Sequence, residues 1–417
     1  MKSKNIKTVF LRTIIFWYLF LLVLALSSTF NVDFISIAPG FILTAIVYIF
    51  IAIGFHGGSN IKLTAGIKPR RLLISRKTLV LLAFASAVYS INFYTGKTAG
   101  DVIESVLAGD SLYNNYQAYF ADEGLENFSA SKIFPIVAGG VLKFTLLYTF
   151  ITFLILKIKL DRKDILTLII VSLAYLYFAI GRGTSFELFE LFVIFIYCLI
   201  LRNSSFAHKK NPKIKWIVMC IGVAFVWLYS INVSARYGVN EISDCAAVGF
   251  CLDKQSFIYS NFPGLGRLLF LFSGYFIFGI LHTAKMLMFV FDSASLTTGA
   301  FIPGSGLLSG VSTADATCIY VLDCGAMWTS DISRIFSSFG IFGLISIAFI
   351  IGKFGLIALR SAYSENMLSA NIVAYFIFLF ILSLPIGNFV TASSPNIINA
   401  LIASLIFIYL KFSLRRD

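Results

Sequence analysis

Apolar runs of about 20 residues recur along this chain with short polar segments between them, and each is long enough to cross the roughly 30 Å hydrocarbon layer as a helix. They lie near 13–31, 34–54, 78–94, 133–156, 165–181, 185–201, 216–233, 335–359, 368–388 and 396–412. Hydrocarbon offers no partner for a peptide group, so a chain of such runs has to form helices that satisfy their own backbone. Charged residues are only 13% of the 417, about half the share of a soluble domain, which excludes an ordinary water-soluble core. The expected fold is therefore an all-α polytopic membrane protein with about ten transmembrane helices. Its first run follows Lys2, Lys4, Lys7 and Arg12 but lacks a small-residue cleavage site, and is read as a retained span.

The basic residues orient these spans. With the N-terminus inside, the inner segments hold 23 of the 33 lysines and arginines, while the outer segments 95–132 and 234–334 hold six and seven acids. This follows the positive-inside rule and makes both termini cytoplasmic. The net charge of +13 is thereby a topology signal scattered over short loops, not a nucleic-acid patch.

One further apolar run, near 268–291, decides the last third of the chain. A simple crossing there would move Lys411, Arg415 and Arg416 outside and separate Cys245 and Cys251 from Cys318 and Cys324. The run also contains Gly274, Gly279, His282 and Lys285, so an interfacial or re-entrant helix within one long outer loop is expected. Three regions follow: an N-terminal bundle of about seven helices over 1–233, a large outer loop over 234–334, and about three C-terminal helices over 335–417. The four loop cysteines form two C-x5-C pairs, an even set suited to disulfides in an oxidising compartment, with three connectivities open. Zinc is the rival reading, but the spacing fits no standard pattern and no nearby histidine is evident. Cys198 and Cys220 fall in spans and are expected to be buried.

Four arginines are expected at outer membrane level: Arg182, Arg236, Arg267 and Arg334. Arg182 sits in Gly181-Arg182-Gly183-Thr184-Ser185-Phe186-Glu187, where Thr184 and Glu187 have capping-box spacing for the next helix. A guanidinium beside a helix N-terminus suits a phosphate or diphosphate; alternatively Arg182 pairs with Glu187 or Glu190 across a tight turn. Lys143 falls mid-span, where lysine costs roughly 2.5 to 3.5 kcal/mol, so it requires an acid, and Glu190 or Glu187 lies nearest in depth. His282 could serve as a general base, though a structural role beside Lys285 is the plainer reading. Tyr237, Tyr259, Tyr275 and Trp328 could stack on sugar rings or sit in the interfacial aromatic belt, and the outer acids, Asp331 among them, could activate a hydroxyl or form a solvated face. The sequence holds no Walker loop, H-E-x-x-H or G-x-S-x-G, which excludes nucleotide-driven and standard zincin or serine-hydrolase chemistry of those types.

Several of these residues carry a resemblance. Gly181-Arg182-Gly183 between two central spans, Arg236-Tyr237-Gly238 opening the large outer loop, Ser273-Gly274-Tyr275-Phe276, and Trp328-Thr329-Ser330-Asp331 ahead of Phe339-Gly340-Ile341-Phe342-Gly343 resemble the Wzy-type O-antigen polymerase and oligosaccharide-repeat-unit polymerase family. The likeness is mainly architectural; in some members an arginine is followed by glycine at the position where Arg236 is followed by Ala247. It implies a metal-independent membrane glycosyltransferase of the bacterial inner membrane, without cofactor, acting on the periplasmic side. Donor and acceptor would be undecaprenyl-diphosphate-linked oligosaccharides, with membrane lipids and a chain-length regulator protein as further partners and no nucleic acid. It implies Arg182, Arg236 and Arg334 as catalytic residues, and Arg267, Tyr237, His282, Trp328 and Asp331 as substrate-binding ones. An O-antigen ligase, or a flippase or transporter of lipid-linked oligosaccharide, is the alternative.

Overall fold

The computed structural model describes residues 6–27, 29–56, 74–108, 112–122, 132–157, 160–205, 220, 222–232, 245–247, 250–292, 301, 312–322, 324, 329–364, 367–387, 390 and 393–413. Arg236, Tyr237 and Trp328 lie outside them.

The chain folds as a helical bundle whose long helices are α1 (Ile6–Leu26), α2 (Phe34–His56), α3 (Arg76–Thr95), α6 (Ile133–Phe150), α7 (Arg162–Gly181), α8 (Phe186–Ser205), α14 (Asp331–Ser364), α15 (Leu368–Ser383) and α16 (Ser394–Ser413). Shorter helices are α4 (Ala99–Ala108), α5 (Leu112–Asp122), α9 (Gly222–Asn232), α10 (Phe257–Asn261), α11 (Pro263–Phe276), α12 (Phe278–Asp292) and α13 (Thr313–Tyr320). Among the described residues, seven helices are long and apolar enough to cross a membrane, or eight if the bent pair α11–α12 is one span: α1, α2, α3, α6 with the π turn Ile151–Leu156 that prolongs it, α7, α14 and α16. Three expected spans fall short of that measure. Glu187, Glu190 and Arg202 interrupt α8, α9 is described over 11 residues, and α15 has 16.

Hydrogen bonds sort the helix ends into two sets. At one end Lys7 donates to the His56 carbonyl (3.1 Å), Arg76 bridges Asp161 (2.8 Å) and Asp164 (2.9 Å), Lys157 also reaches Asp164, Arg202 caps the Leu154 carbonyl (2.8 Å), and Lys411 donates to Ser361 (3.0 Å). Asp161 is the N-cap of α7 in a reciprocal box with Asp164. The bond from the Asp164 N–H, ahead of the neighbouring cations, holds the Asp161 carboxyl below the usual range. The opposite end carries the α7–α8 turn with Arg182 and the starts of α2, α6, α14 and α16. Within the bundle, hydroxyls of Thr44, Thr149 and Thr167 donate to carbonyls four residues back, which satisfies them without breaking the helix.

The segment after α9 packs at the Arg182 end. A short antiparallel hairpin, β1 (Cys245–Ala247) with β2 (Phe250–Cys251), docks on the connection between α1 and α2: Asn31 donates its N–H to the Cys251 carbonyl (2.9 Å), and Asp253 to Thr29 (3.1 Å). The run expected to be re-entrant or interfacial is a broken helix, since α11 and α12 meet at Ile277 with a bend of 53°. It is no surface helix over α12, where Phe278, Ile280, Leu281 and His282 are all buried. α12 packs on α2, and Thr283 meets Ser330 (2.5 Å) beside the first turn of α14, whose Ile332 N–H donates to Leu384 past the end of α15 (3.3 Å). Both cysteine pairs therefore stand at one end of the bundle, as bridges Cys245–Cys251 and Cys318–Cys324. Cys198 is buried as expected, whereas Cys220 is exposed, which corrects the expectation of burial there.

A second correction concerns the start of the third-last span. The apolar run suggests a helix continuous from residue 335, but Gly340 has φ 67° and ψ −176°, a backbone region closed to residues with a Cβ. The chain breaks there, and Asp331–Phe339 forms a separate short helix ahead of the long one.

Candidate functional site

Two neighbouring turns of α8 place Glu187 and Glu190 on the same face, three residues apart and both buried. That face borders a cavity of about 290 Å³ lined by Tyr94 of α3, Tyr116 of α5, Lys143 of α6, Tyr175 and Phe178 of α7, the Arg182–Thr184 turn, and Ser394–Asn396 at the start of α16. Lys143 lies about 15 Å along α6 from its first residue, so the cavity extends from the Arg182 end well into the bundle.

Lys143 pairs with Glu190, as depth alone suggested, with side chains only 2% and 1% exposed. Glu190 also accepts from Tyr175 Oη (2.5 Å) and Asn396 Nδ2 (2.6 Å), giving one carboxylate three donors from three other helices. The Lys143 ammonium further donates to Tyr175 Oη (3.2 Å) and lies over the rings of Tyr175 (5.3 Å) and Tyr375 (5.8 Å). In a low-dielectric interior such a pair needs further hydrogen bonds, and Tyr175 and Asn396 supply them to the carboxylate.

Arg182 forms the upper part of the site. Its Nη1 donates to Glu187 Oε1 (2.8 Å) and its Nη2 to Tyr116 Oη (3.2 Å). The guanidinium stands between Tyr116 (4.9 Å), Phe178 (5.1 Å) and Tyr94 (5.3 Å), an aromatic enclosure that favours a weakly hydrated planar cation. Nε is buried without a hydrogen-bond partner among the described residues, which leaves donor capacity at the site. The turn itself depends on Gly183: its φ is +61°, and a Cβ would come within 2.4 Å of the Tyr113 backbone nitrogen. α5 thus lies directly over the turn. The expected capping box is displaced, because α8 begins at Phe186 and the Thr184 hydroxyl donates to the Glu187 carboxylate, whereas a capping hydroxyl accepts from a backbone N–H. Asn232 Nδ2 reaches the Gly183 carbonyl (3.1 Å) and Ser185 Oγ (2.9 Å), tying the end of α9 to the same turn.

Two cations and two carboxylates make the cavity close to neutral, and the starts of α8 and α16 both border it with their positive dipole ends. Tyrosine rings, an amide, a hydroxyl and paired charges together offer what a polyhydroxylated ring attached to a phosphate requires: flat apolar faces, oriented hydrogen bonds and a fixed cation.

The remaining expected site residues lie elsewhere. Arg267 is exposed on α11, and Arg334 donates from Nε to Thr329 Oγ1 (2.9 Å) near the start of α14; neither lines the cavity. His282 is fully buried, with Nδ1 at 3.0 Å from Ser333 Oγ and Nε2 at 3.0 Å from the Ala314 carbonyl. Asp331 is buried at the first turn of the short helix two residues before Ser333. The expectation that no histidine neighbours the loop cysteines is corrected: a His282 nitrogen and the sulfurs of Cys318 and Cys324 lie within 4.8 Å of one another. Those sulfurs are bonded to each other and both imidazole nitrogens are engaged, so the chemistry of the trio is structural as it stands.

Tyr94, Tyr116, Tyr175 and Asn396 were not singled out in the sequence. The aromatic residues resemble ordinary belt or core positions, but an asparagine early in an apolar run is a signal, since an amide in hydrocarbon requires a partner. No family model, curated protein or solved structure matches the chain.

Proposed function

We propose that this chain is a polysaccharide polymerase of the O-antigen type, joining polyprenyl-diphosphate-linked oligosaccharides at the Arg182 end of the bundle. In this reading that end faces the periplasm, both termini are cytoplasmic, and ten helices cross the inner membrane, with α11 and α12 forming a re-entrant unit on the outer side. The observation that supports it is the cavity in which a caged arginine and a buried glutamate pair meet tyrosines and two helix starts inside an otherwise apolar bundle. The concentration of Lys7, Arg76, Lys157, Arg202 and Lys411 at the other end supports its assignment as cytoplasmic.

The chemistry assigned to the cavity is a single displacement. The acceptor hydroxyl oxygen bonds to the anomeric carbon of the donor chain while the bond from that carbon to the diphosphate oxygen breaks, and the leaving polyprenyl diphosphate keeps the electron pair. Glu187, held by Arg182 and Thr184, takes the proton from the hydroxyl. Arg182 Nε and the start of α8 stabilise the charge that grows on the diphosphate. The Lys143–Glu190 pair forms the floor and fixes Tyr175 and Asn396.

The test is deletion of the gene followed by gel analysis of surface polysaccharide. A core bearing a single repeat unit supports polymerisation. Free undecaprenyl-linked polymer would make the chain a ligase, loss of any outward-facing product a flippase, and unchanged long chains would refute all three. Complementation by Glu187→Gln should insert normally and leave the single-unit pattern; full-length polymer from that variant removes Glu187 from the reaction.

A further inference from the structure

At the end of the bundle away from Arg182, α14 and α16 enclose a second cavity of about 360 Å³. Its wall changes character along its length. Phe354 and Ile357 of α14 face Phe407 and Ile408 of α16, and the floor then closes with Arg360, Ser361 and Lys411. Both charged lining residues are cations; Lys411 lies in the last turn of α16, and Arg360 four residues before the end of α14. Lys411 Nζ donates to Ser361 Oγ at 3.0 Å, which fixes the ammonium on the α14 side of the cleft. Helix C-termini favour nearby cations, but a cation facing an apolar slot is also set for an anion whose other part is hydrocarbon.

We infer that this cleft is a specific binding site for an anionic phospholipid, with the headgroup phosphate between Arg360 and Lys411 and an acyl chain between Phe354, Ile357, Phe407 and Ile408. The two parts of the lining match the two parts of one molecule: a planar guanidinium and a fixed ammonium for phosphate oxygens, and facing aromatic and branched side chains for methylenes. A zwitterionic lipid would place its own ammonium or choline beside the two cations, so the site discriminates by headgroup charge. Bound lipid would bridge α14 to α16, the helix whose first turn supplies Asn396 to the other cavity. The inference does not depend on the proposed reaction.

The test is native mass spectrometry of the full chain released from nanodiscs containing equal phosphatidylglycerol and phosphatidylcholine. Wild type should retain one phosphatidylglycerol in preference to phosphatidylcholine, and the pair Arg360→Gln with Lys411→Gln should lose that one adduct and the preference. Ile408→Trp, which fills the slot and keeps both charges, should lose it as well. Because the double variant could simply misfold, the Lys411→Arg variant serves as a second arm and should keep the adduct. Equal adducts in wild type and the Gln pair, or retention by Ile408→Trp, would overturn the site; displacement of the adduct by millimolar inorganic phosphate would reassign it to free phosphate.

Discussion

Glu190→Gln should destabilise this protein far more than the loss of one hydrogen bond. The ammonium of Lys143, 2% exposed, would keep only the Tyr175 oxygen and two aromatic faces as partners, and removing one member of a buried ion pair costs about 3–5 kcal/mol. The upper end of that range applies, because a neutral amide leaves the buried ammonium without the carboxylate charge that offsets it. Lys143→Met should fall at the lower end, near 3 kcal/mol, since Glu190 still accepts from Tyr175 and Asn396. The double variant replaces both charges at once and should recover most of the loss, giving a coupling energy above about 2 kcal/mol. At about 1.4 kcal/mol per tenfold, Glu190→Gln alone shifts the folded-to-unfolded ratio by about three and a half powers of ten. Reversible unfolding in mixed detergent micelles, followed by far-ultraviolet circular dichroism across a denaturing-detergent titration, measures all three variants. Equal costs for the two single changes, or losses that simply add in the double variant, would show that the pair is not the coupled floor described above.

Gly183→Ala forces a Cβ against the Tyr113 backbone at a left-handed φ, and should cost about 1–3 kcal/mol together with most polymer formation; protease resistance and a polysaccharide gel on the same cells would detect both. Arg182→Lys should leave less than about a tenth of wild-type chain length signal, because a point charge replaces a fork held by Glu187, Tyr116 and three rings, and near-normal ladders would remove the cage from the site. The Asp161 carboxyl is lowered in the folded state, so its contribution is present above the unfolded value near 4 and disappears as pH falls through the lower folded one. Unfolding midpoints of wild type and Asp161→Asn should therefore differ at pH 7 and converge in acid; a gap that is constant with pH contradicts the cap. A cysteine introduced at exposed Ser260 should react with a membrane-impermeant maleimide on intact spheroplasts, and labelling only after lysis would reverse the assigned orientation.

Helix positions were legible wherever an apolar run stood alone, because hydrocarbon length imposes about 20 residues on any crossing. The partner of Lys143 was legible for a related reason: a charge at that depth admits few acids, and Glu190 was among them. Arg182 was visible as the cation of a turn, yet its pairing with Glu187 and its use as a ligand group stood as alternatives, whereas the folded chain has the salt bridge and an unused Nε together. Tyr116 and Asn396 come from segments 66 and 214 residues away from Arg182 in the chain, and local pattern carries no information about such approaches. The break at Gly340 was hidden because hydropathy is continuous through it, while the requirement for a missing Cβ is a property of the backbone.

The ion pair at the cavity floor also bears on how the chain enters the bilayer. Each partner would cost roughly 2.5–3.5 kcal/mol as an unpaired charge near the centre of a solitary helix. α8, with three charges, has the steeper barrier. In the proposed topology the two charges offset each other only once α8 has followed α6 into the membrane, which would couple the biogenesis of α6, α7 and α8.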